Sequence, residues 1–155
     1  MEENKYYIPA IEEFHVGFEY EIYSQDEWKK DILMPQDYDY PDLGELAWIE
    51  NMLFINKIRV KYLDKEDIIE LDWKITKDKK YEFDAQYLKQ DYIFWDLTYD
   101  IEDHKLIIEE FYQSKLCAKT SYTENPNLYN SKIIFDGTIK NKSELQILCK
   151  QLGIL

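Results

Sequence analysis

The chain has 155 residues, 45% hydrophobic and 16% aromatic, which suits one domain with a real core and excludes global disorder. Its formal net charge of −13 repels nucleic acid and anionic membranes and favours basic partners. No apolar run approaches the roughly 20 residues of a membrane span, and the N-terminal Met-Glu-Glu-Asn-Lys-Tyr-Tyr lacks a signal-peptide core, so a cytoplasmic protein is expected.

In chain order, Ile11 to Tyr23 is the first strand candidate. Phe14, Val16, Phe18, Tyr20 and Ile22 fall on one face, and Glu13, His15, Gly17, Glu19, Glu21 and Tyr23 on the other. Ser24 to Leu33 reads as a short helix or a further strand. Pro35 to Gly44 holds two prolines, a glycine and three aspartates, the composition of a loop. Glu45 to Asn56 fits a helix stripe imperfectly, and its run Met52 to Ile55 suits a strand equally well.

Lys57 to Leu63 alternates Ile58, Val60 and Tyr62 with Lys57, Arg59 and Lys61, as a strand does. Asp64 is placed to cap a short helix whose early acids suit the helix dipole. From Trp73 onward the pattern is mostly β. Asp78-Lys79-Lys80 predicts a hairpin turn between Trp73–Lys77 and Tyr81–Ala85. Tyr92 to Tyr99 puts Ile93, Trp95, Leu97 and Tyr99 on one face. Asp100 to His104 predicts a turn, and Lys105 to Tyr112 another strand. Leu116 to Tyr122 reads as one more strand, and Thr123 to Ser131 as a polar loop.

The C-terminal stretch Lys132 to Leu155 is the best defined. It begins as a strand with Ile133, Phe135 and Ile139 on one side and Asp136, Thr138 and Lys140 on the other. A helix follows, with Asn141 as N-cap, Glu144 at the capping-box position, and Leu145, Leu148, Cys149 and Leu152 on one stripe. Gly153 fits the left-handed position that ends a helix. The whole predicts a single α+β domain over residues 1–155, mainly antiparallel sheet, with a short central helix and a C-terminal helix packed on it.

Several residue patterns suggest chemistry. His15, Glu19 and Glu21 share a strand face, with the two carboxylates about 7 Å apart, a spacing that can hold a divalent cation or share acid–base work. Gly17-Phe18-Glu19-Tyr20-Glu21 also has the G-x-E-x-E shape seen in some ATP-using carboxylate–amine ligases, without a nucleotide loop beside it. The plainer reading is a solvated strand face. Lys57, Arg59 and Lys61 form a basic stripe that suits a phosphate-bearing ligand. If that stripe neighbours Glu19 and Glu21, the two candidate sites merge into one cross-strand salt-bridge ladder. Arg59 is the only arginine, which leaves few forks for phosphate or carboxylate recognition.

The acidic loop with Asp37, Asp39 and Asp42 departs from a calcium loop. Pro41 occupies a ligand position, and Trp48 stands where the bidentate glutamate belongs. Asp72-Trp73-Lys74 has a nuclease-like D-x-K ending but no placed upstream acid. Cys117 and Cys149 match no metal spacing, and two histidines cannot make a three-histidine zinc site. No phosphate-binding glycine loop or G-x-S-x-G elbow occurs. No cofactor is implied.

Three stretches together carry a resemblance: Ile11 to Glu21, Arg59 to Ile68, and Gly137 to Leu145. In this order they resemble a group of short, uncharacterised proteins from gut Bacteroidales and their phages. The stretches cover about a fifth of the chain. The resemblance implies a mobile-element or phage origin and assigns no functional residue.

The expectation is therefore a non-enzymatic, acidic, tyrosine-rich interaction protein in a bacterial host cell. It would bind another protein, in the sharpest version by imitating a polyanion in a basic groove, with no direct binding to nucleic acid or membrane. Asp37, Tyr38, Asp39, Tyr40, Asp42 and Glu45 are the expected contact residues. The alternatives are a small metal- or nucleotide-dependent enzyme built on the His15, Glu19 and Glu21 face, and a virion or assembly component. The outer face of the sheet that supports the C-terminal helix is a further place to look.

Overall fold

The computed structural model describes residues 5–34, 44–79, 81–90, 93–113 and 129–155. Among them the chain is α+β, with two antiparallel sheets and three α-helices. The described residues up to Tyr62, with Asn141–Ser143, form one compact unit, and those from Leu63 to Lys140, with Glu144–Leu155, form another. The expected strand Leu116 to Tyr122, residues 35–43 of the expected acidic loop and residues 123–128 of the expected polar loop lie outside the described residues, whereas Tyr129, Asn130 and Ser131, expected in that loop, are strand paired with Gln113, Tyr112 and Phe111.

The first unit holds β1 (Tyr6–Tyr7), β2 (Glu19–Ser24), β3 (Glu27–Ile32) and β4 (Ile58–Lys61), in the spatial order β1-β4-β2-β3. Helix α1 (Gly44–Phe54) resolves the ambiguous segment in favour of helix. Phe14, Phe18, Tyr20, Leu33, Ile49, Ile58 and Val60 make the core of this unit. The long strand expected from Ile11 is shorter, because two local features bend the chain. Ile11–Glu13 is a 3-10 turn, closed by Glu13, whose carboxylate accepts from the Ala10 amide at 2.9 Å and the Tyr7 hydroxyl at 2.7 Å. Gly17 then adopts a positive φ of 86°, open to glycine and strained for other residues. Phe14 and Phe18 still reach the core from these turns, but Val16 is left 51% exposed. Ser24 to Leu33 contains β3, joined to β2 by Gln25 and Asp26, both at positive φ as a two-residue hairpin requires.

The second unit is a five-stranded meander of β5 (Lys74–Lys79), β6 (Glu82–Gln90), β7 (Ile93–Asp100), β8 (Lys105–Gln113) and β9 (Tyr129–Thr138), adjacent in chain order. Helices α2 (Lys65–Glu70) and α3 (Lys142–Gln151) contribute to its core. There Ile68, Leu145 and Cys149 are buried with Trp73, Trp95, Leu97, Tyr99, Leu106 and Ile108. Each such large apolar side chain contributes about 1.5–3 kcal/mol of transfer free energy. Burial pushes the Cys149 thiol up to about 11, so the thiol stays protonated and acts as core. The Tyr99 hydroxyl donates to the Ile139 carbonyl at 3.2 Å and lies 3.1 Å from His104 Nδ1, which ties the β7–β8 turn to the end of β9. Desolvation, then Lys140, lowers the His104 pKa, which favours the neutral ring.

Strand β9 corrects one sequence expectation. Phe135 pairs with Ile108 but Ile133 pairs with Glu109, so Ile134 is an inserted bulge residue. The bulge reverses the alternation, and Ile133 turns to the outer face, away from Phe135. Past the bulge, the Phe135 ring covers Gly137; a Cβ there would sit 2.8 Å from the ring.

All three helices end the same way. After α1, the Asn56 amide donates to Leu53 and the Lys57 amide to Met52; after α2, Asp72 donates to Ile69 and Trp73 to Ile68; after α3, Gly153 donates to Lys150 and Ile154 to Cys149. Asn56, Asp72 and Gly153 sit at φ of 54°, 65° and 70°, the left-handed residue of a Schellman motif. At its start, α2 is closed by Asp64 and Asp67, each carboxylate accepting from the other's amide at 3.1 and 3.2 Å. At α3 the Glu144 carboxylate accepts from the Lys140 amide at 2.6 Å, one residue before the expected N-cap amide. Asn141 donates from its side chain to the Tyr7 hydroxyl at 2.8 Å. Replacing Asp72 by glycine should stabilise the protein by about 0.5 kcal/mol, and Gly153→Ala should cost about 1 kcal/mol, in urea unfolding. A loss of stability in Asp72→Gly would contradict the strain ascribed to that residue.

Candidate functional site

The outer face of the four-stranded sheet carries the residues that the sequence singles out, and it uses most of them internally. Arg59 lies opposite Glu21. Its Nε and one terminal nitrogen both approach Glu21 Oε2 at 2.8 Å. The guanidinium is sandwiched between the rings of Tyr6 and Trp28, at 3.6 and 4.0 Å from their centroids. The Lys57 ammonium sits 3.8 Å over the Tyr23 ring. Lys61 pairs in register with Tyr6. The expected ladder is thus present as one rung, Glu21 with Arg59, set in an aromatic frame.

His15, Glu19 and Glu21 turn to separate partners. His15 Nδ1 is 3.0 Å from the Val16 carbonyl and its ring meets Phe18 edge-on. Glu19 faces Lys142 at 3.5 Å, and its amide donates to the Ser143 hydroxyl at 3.0 Å. Among the described residues, no group of three histidine, cysteine, aspartate or glutamate side chains could hold a metal ion. Asp37, Tyr38, Asp39, Tyr40 and Asp42 lie outside the described residues; Glu45 belongs to α1, and its side chain is also outside them.

The outer face of the five-stranded sheet is arranged differently. Burying Trp95, Leu97, Leu106 and Ile108 on the inner face forces their neighbours outward. One outer row crosses the sheet as Leu88, Phe94, Phe111 and Ser131. The next row, two residues along, is Gln86, Asp96, Glu109 and Ile133. Phe94 and Phe111 stack with ring centroids 5.0 Å apart and planes 1° from parallel. Leu88 is 73% exposed and Ile133 55%.

Asp96 and Glu109 therefore face each other directly across β7 and β8, both half-buried. Like charges in that relation destabilise a sheet by about 0.2–1 kcal/mol. Other carboxylates on this face have cations: Asp84 has Lys77 at 3.7 Å, Glu82 has Lys79 at 3.2 Å, and Asp136 has Lys105 at 3.4 Å. Asp96 accepts only a neutral hydrogen bond, from Gln86 at 3.0 Å. Glu109 has no hydrogen-bond or ion-pair partner among the described residues. A strip of apolar side chains thus borders an uncompensated pair of acids.

The alternation of β7 marks Phe94 and Asp96 as outward-facing. It cannot say that Asp96 meets Glu109, because cross-strand register depends on the turn between the strands. No family model, curated protein or solved structure matches the chain. No helix among the described residues is long and apolar enough to cross a membrane.

Replacing Glu109 by glutamine removes the repulsion while keeping the shape. Thermal or urea unfolding should show a gain of about 0.5 kcal/mol, shrinking as salt is added. A clear loss of stability would show that Glu109 is held by a favourable contact instead.

Proposed function

We propose that the protein is a non-enzymatic interaction protein that binds another protein through the outer face of its five-stranded sheet. The observation that carries this reading is the half-buried Asp96–Glu109 pair, left without a cation beside exposed Leu88 and Ile133. A like-charge pair costs stability in the free protein, and a partner's lysine or arginine placed between the carboxylates converts that cost into attraction. The adjoining apolar side chains supply area that a contact can remove from water. The net charge of −13 speeds encounter with a basic partner and disfavours nucleic acid and anionic membranes. The resemblance to proteins of gut Bacteroidales and their phages is in keeping with a partner inside a bacterial host.

This reading differs from polyanion mimicry in its response to salt. A charge-only mimic loses its partner steeply as ionic strength rises, whereas apolar contacts retain part of the affinity. A photo-crosslinking residue at Ile107, beside the acid pair on the same face, should capture a specific host polypeptide. Capture should fall about tenfold in Glu109→Lys and only partly in high salt. Capture unaffected by Glu109→Lys would refute the assignment to this face.

A further inference from the structure

We propose that the occupant of this face is a basic amphipathic helix of the partner, lying across the strands with its apolar stripe on the Phe94–Phe111 stack. This inference rests on the interaction reading above and specifies the partner's chemistry. The apolar side chains are spread over four adjacent strands: Leu88 on β6, Phe94 on β7 and Phe111 on β8 lie in one row, and Ile133 on β9 lies one row along, opposite Glu109. Three strand spacings amount to about 14 Å, the length of about nine residues of α-helix. A strip of that length running across the strands suits a helix of two to three turns.

The acids set the second requirement. Asp96 and Glu109 lie two residues along β7 and β8 from Phe94 and Phe111, about 7 Å from the ring stack. On a helix, residues three or four apart lie about 5–6 Å from one another, and a lysine or arginine stem extends further. A cation one turn from an apolar anchor therefore reaches the carboxylates while the anchor covers the rings. The same charges argue against a second copy of this chain, because a self-contact would bring further acids of a −13 protein toward the Asp96–Glu109 pair.

The test titrates the isotopically labelled full chain with a synthetic helical peptide carrying leucines at i, i+3, i+4 and i+7 and lysines flanking them. A matched peptide carries glutamates in place of the lysines. Amide shifts on the lysine peptide should localise to residues 86–88, 94–98, 107–111 and 131–133. The double variant Asp96→Asn/Glu109→Gln should bind about tenfold more weakly, while Glu82→Gln, on the same sheet but paired with Lys79, should stay within about twofold. The double variant should fold at least as well as the parent, since it loses only repulsion. Equal binding of the glutamate peptide, unchanged binding by the double variant, diffuse shifts, or self-association through this face would each overturn the proposal. If no peptide binds while capture at Ile107 still depends on Glu109, the helix is wrong and the contact face stands. If that capture also fails, both readings fall.

Discussion

The register of β7 against β8 is the constraint on which the second unit depends. Five large side chains, Trp95, Leu97, Tyr99, Leu106 and Ile108, must face inward to build its core. The turn at Ile101–His104 sets that register by making Asp100 the partner of Lys105. Asp100 caps the turn by accepting from the Glu102 and Asp103 amides at 2.9 and 3.3 Å, and His104 closes it at a positive φ of 53°. Because strand side chains alternate with period two, the same register leaves no choice on the other face. Phe94 stacks on Phe111, and Asp96 meets Glu109. The core is gained at the cost of a like-charge pair, and that pair is the feature that a partner can relieve.

The two outer sheet faces show what satisfied and unsatisfied charge look like in one chain. In the first unit, Arg59 is neutralised by Glu21 and clamped by Tyr6 and Trp28, while Lys57 lies on Tyr23. Those groups stiffen a small four-stranded sheet and have little left to offer a ligand. In the second unit, Glu109 has no such partner among the described residues. That difference favours the second face as the contact surface, although the basic stripe of the first is the more conspicuous in sequence.

Much of the fold was legible because helix ends and strand alternation are local. Asp64 and Gly153 act where their chemistry places them, and Trp95, Leu97 and Tyr99 share the inner face as their spacing implies. Four features were not legible, each for a definite reason. The strand expected from Ile11 to Tyr23 alternates correctly, but Glu13 and Gly17 form turns that keep Phe14 and Phe18 in the core without a strand. Ile133 turns outward because a bulge at Ile134 depends on β8, which periodicity in β9 cannot report. The Asp96–Glu109 meeting is a property of two strands and a turn, and no single segment encodes it. The aromatic frame around Arg59 is hidden likewise, since Tyr6 and Trp28 come from strands far from it in sequence.

The claim that the fold forces these two carboxylates together is most directly tested by a double-mutant cycle with Asp96→Asn and Glu109→Gln, read by urea unfolding at low and high salt. Each single variant should be stabilised, the double variant should gain less than the sum, and the repulsive coupling should be about 0.5 kcal/mol and fade with salt. Strict additivity, or destabilisation by either single change, would contradict it.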